Sequence, residues 1–279
     1  NAAPASAQDS VPVPIFVQEM TDDASAFLAP PRSVPYRLST NEGLGPSNAF
    51  RLARNAQLQD WDSKSDQAVF RGSTTGGVWT LKNWRGKPRS KVVAASIARP
   101  DLLDAKFLQL VQYEESDKEG LIEIFKTEGL LGARKTYDEQ MQYKIVVVVD
   151  GNSVADRFAE QLAMGCAVFK VESPHKEFWY QDLVPDVHYV SIKSDASDLI
   201  ERLVEAHNSS EKLKQIARRG SVFIRSRLSK ESLGCYWVQL LKAYGSHFSG
   251  PVDPLSAHKC PQHVRKRSIK WMADQFEGG

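Results

Sequence analysis

Two short segments of the sequence combine an arginine with several small residues, a combination suited to holding an anion. They are residues 71–77 (RGSTTGG) and residues 151–157 (GNSVADR). Glycine permits positive φ and a close approach of the backbone to a ligand. The first N–H groups of a helix and a planar guanidinium, such as that of Arg157, suit phosphate oxygens. Both segments are therefore candidate phosphate sites, although a surface turn and an ordinary strand-to-helix connection have the same composition.

Neither segment matches an established nucleotide-binding motif. GxGxxG is absent from both, and residues 71–77 lack the lysine that a phosphate-binding P-loop requires. A P-loop nucleotidase is therefore excluded, and any phosphate site must depend on the elements that position these loops.

Strong secondary-structure signals flank the second segment. Residues 145–149 form an uninterrupted aliphatic run, which is typical of a strand buried on both faces of a parallel sheet. Residues 167–171 are a second β-rich run. Between them, Asn152 or Ser153 can cap a helix whose apolar positions recur at helical spacing, at Val154, Phe158, Leu162 and Ala163. This pattern predicts a strand-loop-helix-strand unit that places Arg157 one turn into the helix and the loop at the ligand crevice.

The other signals along the chain alternate between strand and helix. They predict strands at 13–17, 68–70 and 188–192, a strand and loop at 102–110, and a charged insertion at 114–137. Helices are predicted at 89–98, 198–207, 211–228 and 231–248, with helical spacing also at 48–58 and an irregular loop at 21–47. Such alternation predicts a doubly wound α/β sheet.

Composition narrows the class of protein further. The chain has 279 residues, 42% of them hydrophobic, and a net charge of +2, which argues against a dedicated nucleic-acid binder. Its three cysteines, Cys166, Cys235 and Cys260, fit neither a disulfide scaffold nor a zinc motif. The chain begins at Asn1 without a signal-peptide pattern, so we expect a processed or truncated product. The sequence Asn208-Ser209-Ser210 is an N-glycosylation sequon, which matters only in a secretory lumen.

Five ordered motifs together resemble one known family. They are FRGS at 70–73, YKxxxxxDGNSxxxRF at 143–158, GxAVFK at 165–170, EFWYQDLVPDVHYVSIKSD at 177–195 and CYW at 235–237. In this order they resemble glycosyltransferase family 90, the capsule-associated and protein O-glucosyltransferase-like family, over residues 13–248. The resemblance implies an α/β fold of the glycosyltransferase B type, in which a doubly wound, Rossmann-like nucleotide-binding domain is accompanied by part of a second domain.

The resemblance also implies the chemistry and the site. It implies inverting transfer of glucose or xylose from UDP-glucose or UDP-xylose to a hydroxyl of a protein or glycan, without a metal or other cofactor. The substrate-binding residues that it implies are Arg71, Ser73, Gly151, Asn152, Ser153, Val154, Ala155, Asp156 and Arg157, with Glu42 on a loop facing the sugar and acceptor. Many members have Ser where Ala155 stands, which removes one hydroxyl contact to the diphosphate. A eukaryotic member is expected in the lumen of the endoplasmic reticulum or Golgi, joined to a membrane only through a segment missing from this chain.

The catalytic residue expected from the family has no counterpart in this sequence. The general base of the family is an Asp well upstream of FRGS, and Asp9 lies in the wrong context to match it. We therefore expect the base upstream of this chain, unless Asp22, Asp23 or Glu42 has taken over its role.

The same comparison predicts how the chain divides. Residues 1–12 are expected to be disordered, 13–67 to be a remnant of the acceptor-side domain, 68–248 to form the UDP-sugar-binding domain, and 249–279 to be a basic tail.

Three other functions fit parts of the sequence. The chain can be a catalytically inactive nucleotide-sugar-binding module, which a longer sequence bearing the base would exclude. It can be a metal-dependent transferase of the A type, with Asp60-Trp61-Asp62 as the metal motif, although this motif follows a polar helical stretch rather than a strand. The basic cluster at 263–267 can bind RNA, but no aromatic platform accompanies it.

Overall fold

The structure is a computed structural model, and it describes residues 51–52, 55–56 and 59–245. Residues 51, 52, 55 and 56 are helical, in agreement with the helical spacing at 48–58. The predictions for 1–12, for the strand at 13–17, for Glu42 and for the tail at 249–279 lie outside the described residues. The domain boundaries therefore stay predictions.

A parallel sheet lies at the centre of the described residues. Its strands are β1 (Ser65–Gly72), β2 (Leu103–Phe107), β3 (Tyr143–Val148), β4 (Ala167–Val171) and β5 (Val190–Ile192), in the order β2-β1-β3-β4-β5. Every neighbouring pair is parallel, and helices occupy the crossovers. The predicted doubly wound, Rossmann-like α/β domain is thereby confirmed.

Helices cover both faces of this sheet. They are α1 (Pro88–Ala98), α2 (Lys118–Thr127), α3 (Tyr137–Gln140), α4 (Phe158–Ala163), α5 (Leu199–His207), α6 (Ser210–Arg227) and α7 (Lys230–Gly245). The prediction of a charged insertion at 114–137 was wrong, because α2 buries Leu121 and Phe125 in the core beneath its charged face. Within the described residues, no helix has both the length and the apolar composition needed to cross a membrane.

Strand β3 shows why its sequence is apolar at consecutive positions. Ile145 and Val147 pack into the cluster on one face of the sheet, whereas Val146 and Val148 pack into the cluster on the other face. A central strand with helices on both sides has no solvent-facing side, so it has no polar alternation. Because β3 is buried on both faces, the chain first leaves the interior of the sheet after the carboxyl end of this strand, at Asp150.

Candidate functional site

The two small-residue segments lie next to each other at one edge of the sheet. Strands β1 and β3 are neighbours, and both segments follow the carboxyl ends of these strands. The chain leaves β1 toward β2 on one side and leaves β3 toward β4 on the other side. This reversal of strand order is the topological switch point at which open α/β sheets bind their ligands. The topology therefore supports the crevice that the sequence predicted.

Direct contacts join the two segments. The side-chain Oδ1 of Asn152 accepts hydrogen bonds from the N–H groups of Gly76 and Gly77, both at 3.0 Å. A Cβ atom on Gly151 would lie 2.4 Å from Oγ1 of Thr75, so the side chain of Thr75 fits against position 151 only because that residue is glycine. The segments therefore form one continuous wall of the crevice.

Arg89, in the first turn of α1, holds this wall together. Its guanidinium donates to the carbonyl oxygens of Ser73 at 2.6 Å, Val149 at 2.9 Å and Asp150 at 3.2 Å. Burial and, to a lesser extent, the nearby Arg157 together lower the pKa of Arg89 to about 10, so the group stays charged at neutral pH. The sequence analysis missed this residue, because only its helix was predicted; its place in the first turn after a small-residue loop was the available signal.

Arg157 adds a second guanidinium at the same place. Its Nη1 donates to the carbonyl oxygen of Arg71 at 2.6 Å, and its guanidinium carbon lies 6.0 Å from the ring centre of Phe70. Burial lowers the pKa of Arg157, and Asp150 and Asp156 oppose that shift. Among the described residues, no carboxylate forms an ion pair with either Arg89 or Arg157, so positive charge accumulates at the crevice.

The helix that follows the second segment begins later than predicted. Arg157 is the N-cap of α4 rather than a residue one turn inside it, and neither Asn152 nor Ser153 caps the helix. The cause is Asp150, whose Oδ1 accepts a hydrogen bond from the N–H of Ala155 at 2.8 Å and holds the chain in a turn. The side chain of Arg157, rather than the helix N-terminus, is thus the main source of positive charge in this segment.

A buried ion pair supports the same turn from behind. Oδ2 of Asp150 lies 2.6 Å from Nζ of Lys170 on β4, and both side chains are almost fully buried. The hydroxyl of Ser173, in the loop after β4, donates to the same oxygen. Asp150 therefore connects the loops that follow β3 and β4.

Arg71 lies at the crevice with its backbone but not with its side chain. Its guanidinium donates to the carbonyl oxygens of Phe70, Asp104 and Ala133 and to Oδ2 of Asp104 at 2.9 Å. The side chain is 8% exposed. This arrangement joins β1 to β2, and the role of Arg71 as a diphosphate ligand stays a prediction.

The other residues predicted for the site differ in exposure. Asn152 and Asp156 are exposed, Ser73, Gly151 and Ser153 are half-buried, and Val154 and Ala155 are buried. Burial of Val154 and Ala155 indicates that their side chains pack beneath the loop. Any contact they make with a ligand is then through their backbone.

Two adjoining clefts open at this edge of the sheet. The first has a volume of about 250 Å³ and lies between the two segments, the start of α1 and the loop after β4; its lining includes Lys87, Arg89, Gly151, Ser173 and Ser194. The second has a volume of about 260 Å³, and its lining combines aromatic side chains, among them Phe158, Tyr180 and Tyr189, with charged groups of both signs. Glu172 and His175 belong to both clefts. A charged cleft beside an aromatic cleft can hold an anionic group and a planar ring together.

The alternative metal motif lies at the other end of the sheet. Asp60 and Asp62 are in the turn before β1, where the N–H of Asp62 donates to Oδ1 of Asp60. Trp61 between them is buried. The motif therefore precedes the amino edge of the strands, away from the crevice, which is evidence against its use in an A-type site.

Glu160 in α4 gives a prediction about pH. Its Oε2 has no hydrogen-bond partner among the described residues, and burial raises its pKa from 4.5 to about 8. Because the folded state holds the proton more tightly, this group stabilises the fold fully below pH 4.5, and that contribution is lost as the pH rises toward 8. The free energy of unfolding of Glu160→Gln should therefore not fall in this way as the pH rises. In the unchanged protein the fall is on the order of a few kcal/mol. Urea denaturation between pH 5 and 8.5 measures it.

The exposed Glu119→Gln on α2 is the matched control for this change. It removes one carboxylate without altering a buried group, so its unfolding profile should follow that of the unchanged protein. Parallel profiles for all three proteins would contradict the buried-proton interpretation of Glu160.

The fold and the crevice define a doubly wound α/β protein with two guanidinium groups at its topological switch point. The chain belongs to glycosyltransferase family 90: the sequence profile described as "Glycosyl transferase family 90" matches residues 3–270. The family resemblance seen in the five motifs is thereby confirmed.

The relatives of the chain include two groups of protein O-glucosyltransferases. Protein O-glucosyltransferase 3 of Rattus norvegicus is 28% identical over 263 residues, which cover 93% of this chain and 47% of the relative. Protein O-glucosyltransferase 1 of Homo sapiens is 31% identical over 210 residues, which cover 74% and 49%. The chain thus spans about half the length of these relatives. Among solved structures, Anabaena Alr3699/HepE in complex with UDP has a TM-score of 0.45 and 14% identity, over 71% of this chain and 53% of that one.

Proposed function

We propose that this chain is the nucleotide-binding portion of a UDP-sugar-dependent, inverting O-glycosyltransferase. The observation that carries the proposal is the pair of guanidinium groups at the switch point, neither of which forms an ion pair with a carboxylate of the described residues. Family membership supports glycosyl transfer, and the names of the two relatives support glucose as the sugar and a protein as the acceptor. Xylose as the sugar and a glycan as the acceptor are the alternatives to this proposal.

The chemistry of transfer explains why positive charge belongs here. The acceptor hydroxyl gives its proton to a general base and attacks the anomeric carbon of the sugar, the bond from that carbon to the β-phosphate oxygen breaks, and UDP leaves with the negative charge. Cations and N–H dipoles that are already in place stabilise this charge as it develops, without a cost for rearrangement. Arg157 would supply the cation, and Arg89 would fix the positions of the loops around it.

The adjoining clefts suggest how the donor lies. The charged cleft would take the diphosphate, and the aromatic cleft would take a flat ring such as uracil against Phe158, Tyr180 or Tyr189. Glu172 and His175 stand where the clefts meet, within reach of groups between phosphate and base. We place the protein in the lumen of the endoplasmic reticulum on the basis of its similarity to protein O-glucosyltransferases.

Calorimetric titration tests the proposal. UDP, UDP-glucose and UDP-xylose are titrated into the protein, with ADP and GDP as controls for the base and inorganic pyrophosphate as a control for the charge. We expect UDP to bind more tightly than the other nucleotides and than pyrophosphate. Equal affinities for pyrophosphate and all nucleotides would show that the crevice is an unspecific anion site. Absence of UDP binding would refute the proposal.

Metal independence is a second expected result. Because cationic side chains rather than a metal ion would meet the diphosphate, the affinity for UDP should be the same with and without EDTA. Loss of binding in EDTA, restored by Mn²⁺, would show that a metal takes part. The same titrations with Asp60→Ala would then identify whether the Asp60-Trp61-Asp62 motif is involved.

A further inference from the structure

A further cavity formed by the described residues lies away from the crevice, beside the N-glycosylation sequon. It has a volume of about 360 Å³ and lies between α5 and α6, with Asn208 in its lining. Asn208 is exposed and is the C-cap of α5, and Ser210 is the first residue of α6. Asn208-Ser209-Ser210 is the only sequon in the printed sequence.

The sequon lies at the edge of the sheet opposite the crevice. Helix α5 begins after the carboxyl end of β5 and returns, so Asn208 at its end is near the amino ends of the strands. The indole N–H of Trp61, just before β1, donates to Oγ of Ser210 at 3.5 Å and marks this position. A bulky group on Asn208 would therefore leave access to the crevice unchanged.

The cavity has the lining that a sugar ring requires. Its floor is apolar, with Ala206, Leu213 and Ile216, and its rim is polar, with Arg202 and Lys212. Arg202 forms ion pairs with Asp186 and Glu205, which hold the rim in place. A pyranose has an apolar face and a polar edge, and the volume falls within the range of small-ligand pockets, about 300–1,000 Å³.

We propose that Asn208 carries an N-linked glycan whose first N-acetylglucosamine packs over this cavity. The proposal rests on the lumenal location proposed above but not on UDP binding. Attachment joins Nδ2 of Asn208 to C1 of the sugar, breaks the bond from that carbon to the pyrophosphate of a lipid-linked oligosaccharide, and releases one amide proton with the lipid pyrophosphate. The oligosaccharyltransferase of the lumen performs this step on the chain before it folds.

Secretion from a eukaryotic cell that makes high-mannose glycans tests the attachment. The 279-residue chain is secreted behind a cleavable signal sequence, and its intact mass is compared with those of Asn208→Gln and Ser210→Ala. We expect one glycan on the unchanged chain and none on either variant. An unmodified chain would overturn the proposal.

Enzymatic trimming tests the packing of the first sugar. Endoglycosidase H leaves a single N-acetylglucosamine on Asn208, whereas peptide N-glycosidase F removes the whole glycan and leaves Asp. We expect the trimmed form to keep the Tm of the intact glycoprotein, and the fully deglycosylated form and Asn208→Gln to melt about 2–4 °C lower, the shift that about 1 kcal/mol gives in a domain of 150–250 residues. Equal Tm values for the trimmed and deglycosylated forms would overturn the packing. The affinity for UDP, measured on the same samples, should not change, which separates this proposal from the proposed function.

Discussion

Replacing Arg157 with alanine should weaken UDP binding by about 10- to 150-fold. The estimate comes from the net worth of a hydrogen bond to a charged group, about 1.5–3 kcal/mol. One prong of the guanidinium is already engaged by the carbonyl of Arg71, which fixes the side chain in position before a ligand arrives. The cation is therefore ordered before UDP binds, so its loss should appear fully in the binding constant. Titration calorimetry with UDP measures the effect.

Arg218→Ala is the matched control for this prediction. Arg218 is an exposed residue of α6, away from the two small-residue segments, so its removal changes the net charge equally. If both variants lose the same affinity, long-range charge rather than contact explains the loss. If neither loses affinity, Arg157 is not a ligand for the diphosphate.

Arg71→Ala separates a ligand from a structural contact. The guanidinium of Arg71 bonds to Asp104 and to carbonyl groups of the strand edge, and it is nearly buried. Its removal leaves these acceptors without partners at a cost of about 1–3 kcal/mol for each buried group. A loss of stability with an unchanged Kd for UDP would assign Arg71 to the sheet edge, and a loss of affinity at unchanged stability would assign it to the diphosphate.

The sequence predicted those features that depend on local pattern. The aliphatic run at 145–149 predicted a strand buried on both faces, because side chains alternate between faces and both faces were apolar. The alternation of strands and helices predicted the doubly wound sheet. Each of the two small-residue segments directly follows a predicted strand in the sequence, so its place at the end of a strand was also predictable. Spatial order of the strands could not be predicted in this way, since it depends on which crossover packs on which face.

Features that depend on contacts between distant residues were not predictable. Arg89 has no motif, because its importance comes from carbonyl groups at Ser73 and Val149 that only the fold brings together. The direction of the Arg71 side chain depends on Asp104, 33 residues along the chain. The late start of α4 depends on Asp150, whose carboxylate was interpreted as part of a loop rather than as a partner for Ala155.

Removing the carboxylate of Asp150 should cause the second large effect, on stability. Asp150→Ala leaves the ammonium group of Lys170 buried without its partner, and breaking a buried pair in this way costs about 3–5 kcal/mol. The change also removes the acceptors for Ala155 and Ser173, so the loops after β3 and β4 both lose an anchor. With total stabilities of about 5–15 kcal/mol, this is a large fraction of the free energy of unfolding. Urea denaturation measures the loss.

A double substitution distinguishes an unpaired charge from a lost loop anchor. In Asp150→Asn with Lys170→Met, the amide oxygen still accepts from Ala155 while the buried ammonium is gone, so the loss should be smaller than in Asp150→Ala. The exposed pair of Arg99 and Asp101 is the control, since Asp101→Ala should leave the free energy of unfolding nearly unchanged. If the double variant is as unstable as Asp150→Ala, the loss comes from other contacts than the buried charge. If it recovers stability yet binds UDP weakly, the ion pair serves to fix the crevice rather than to stabilise the fold.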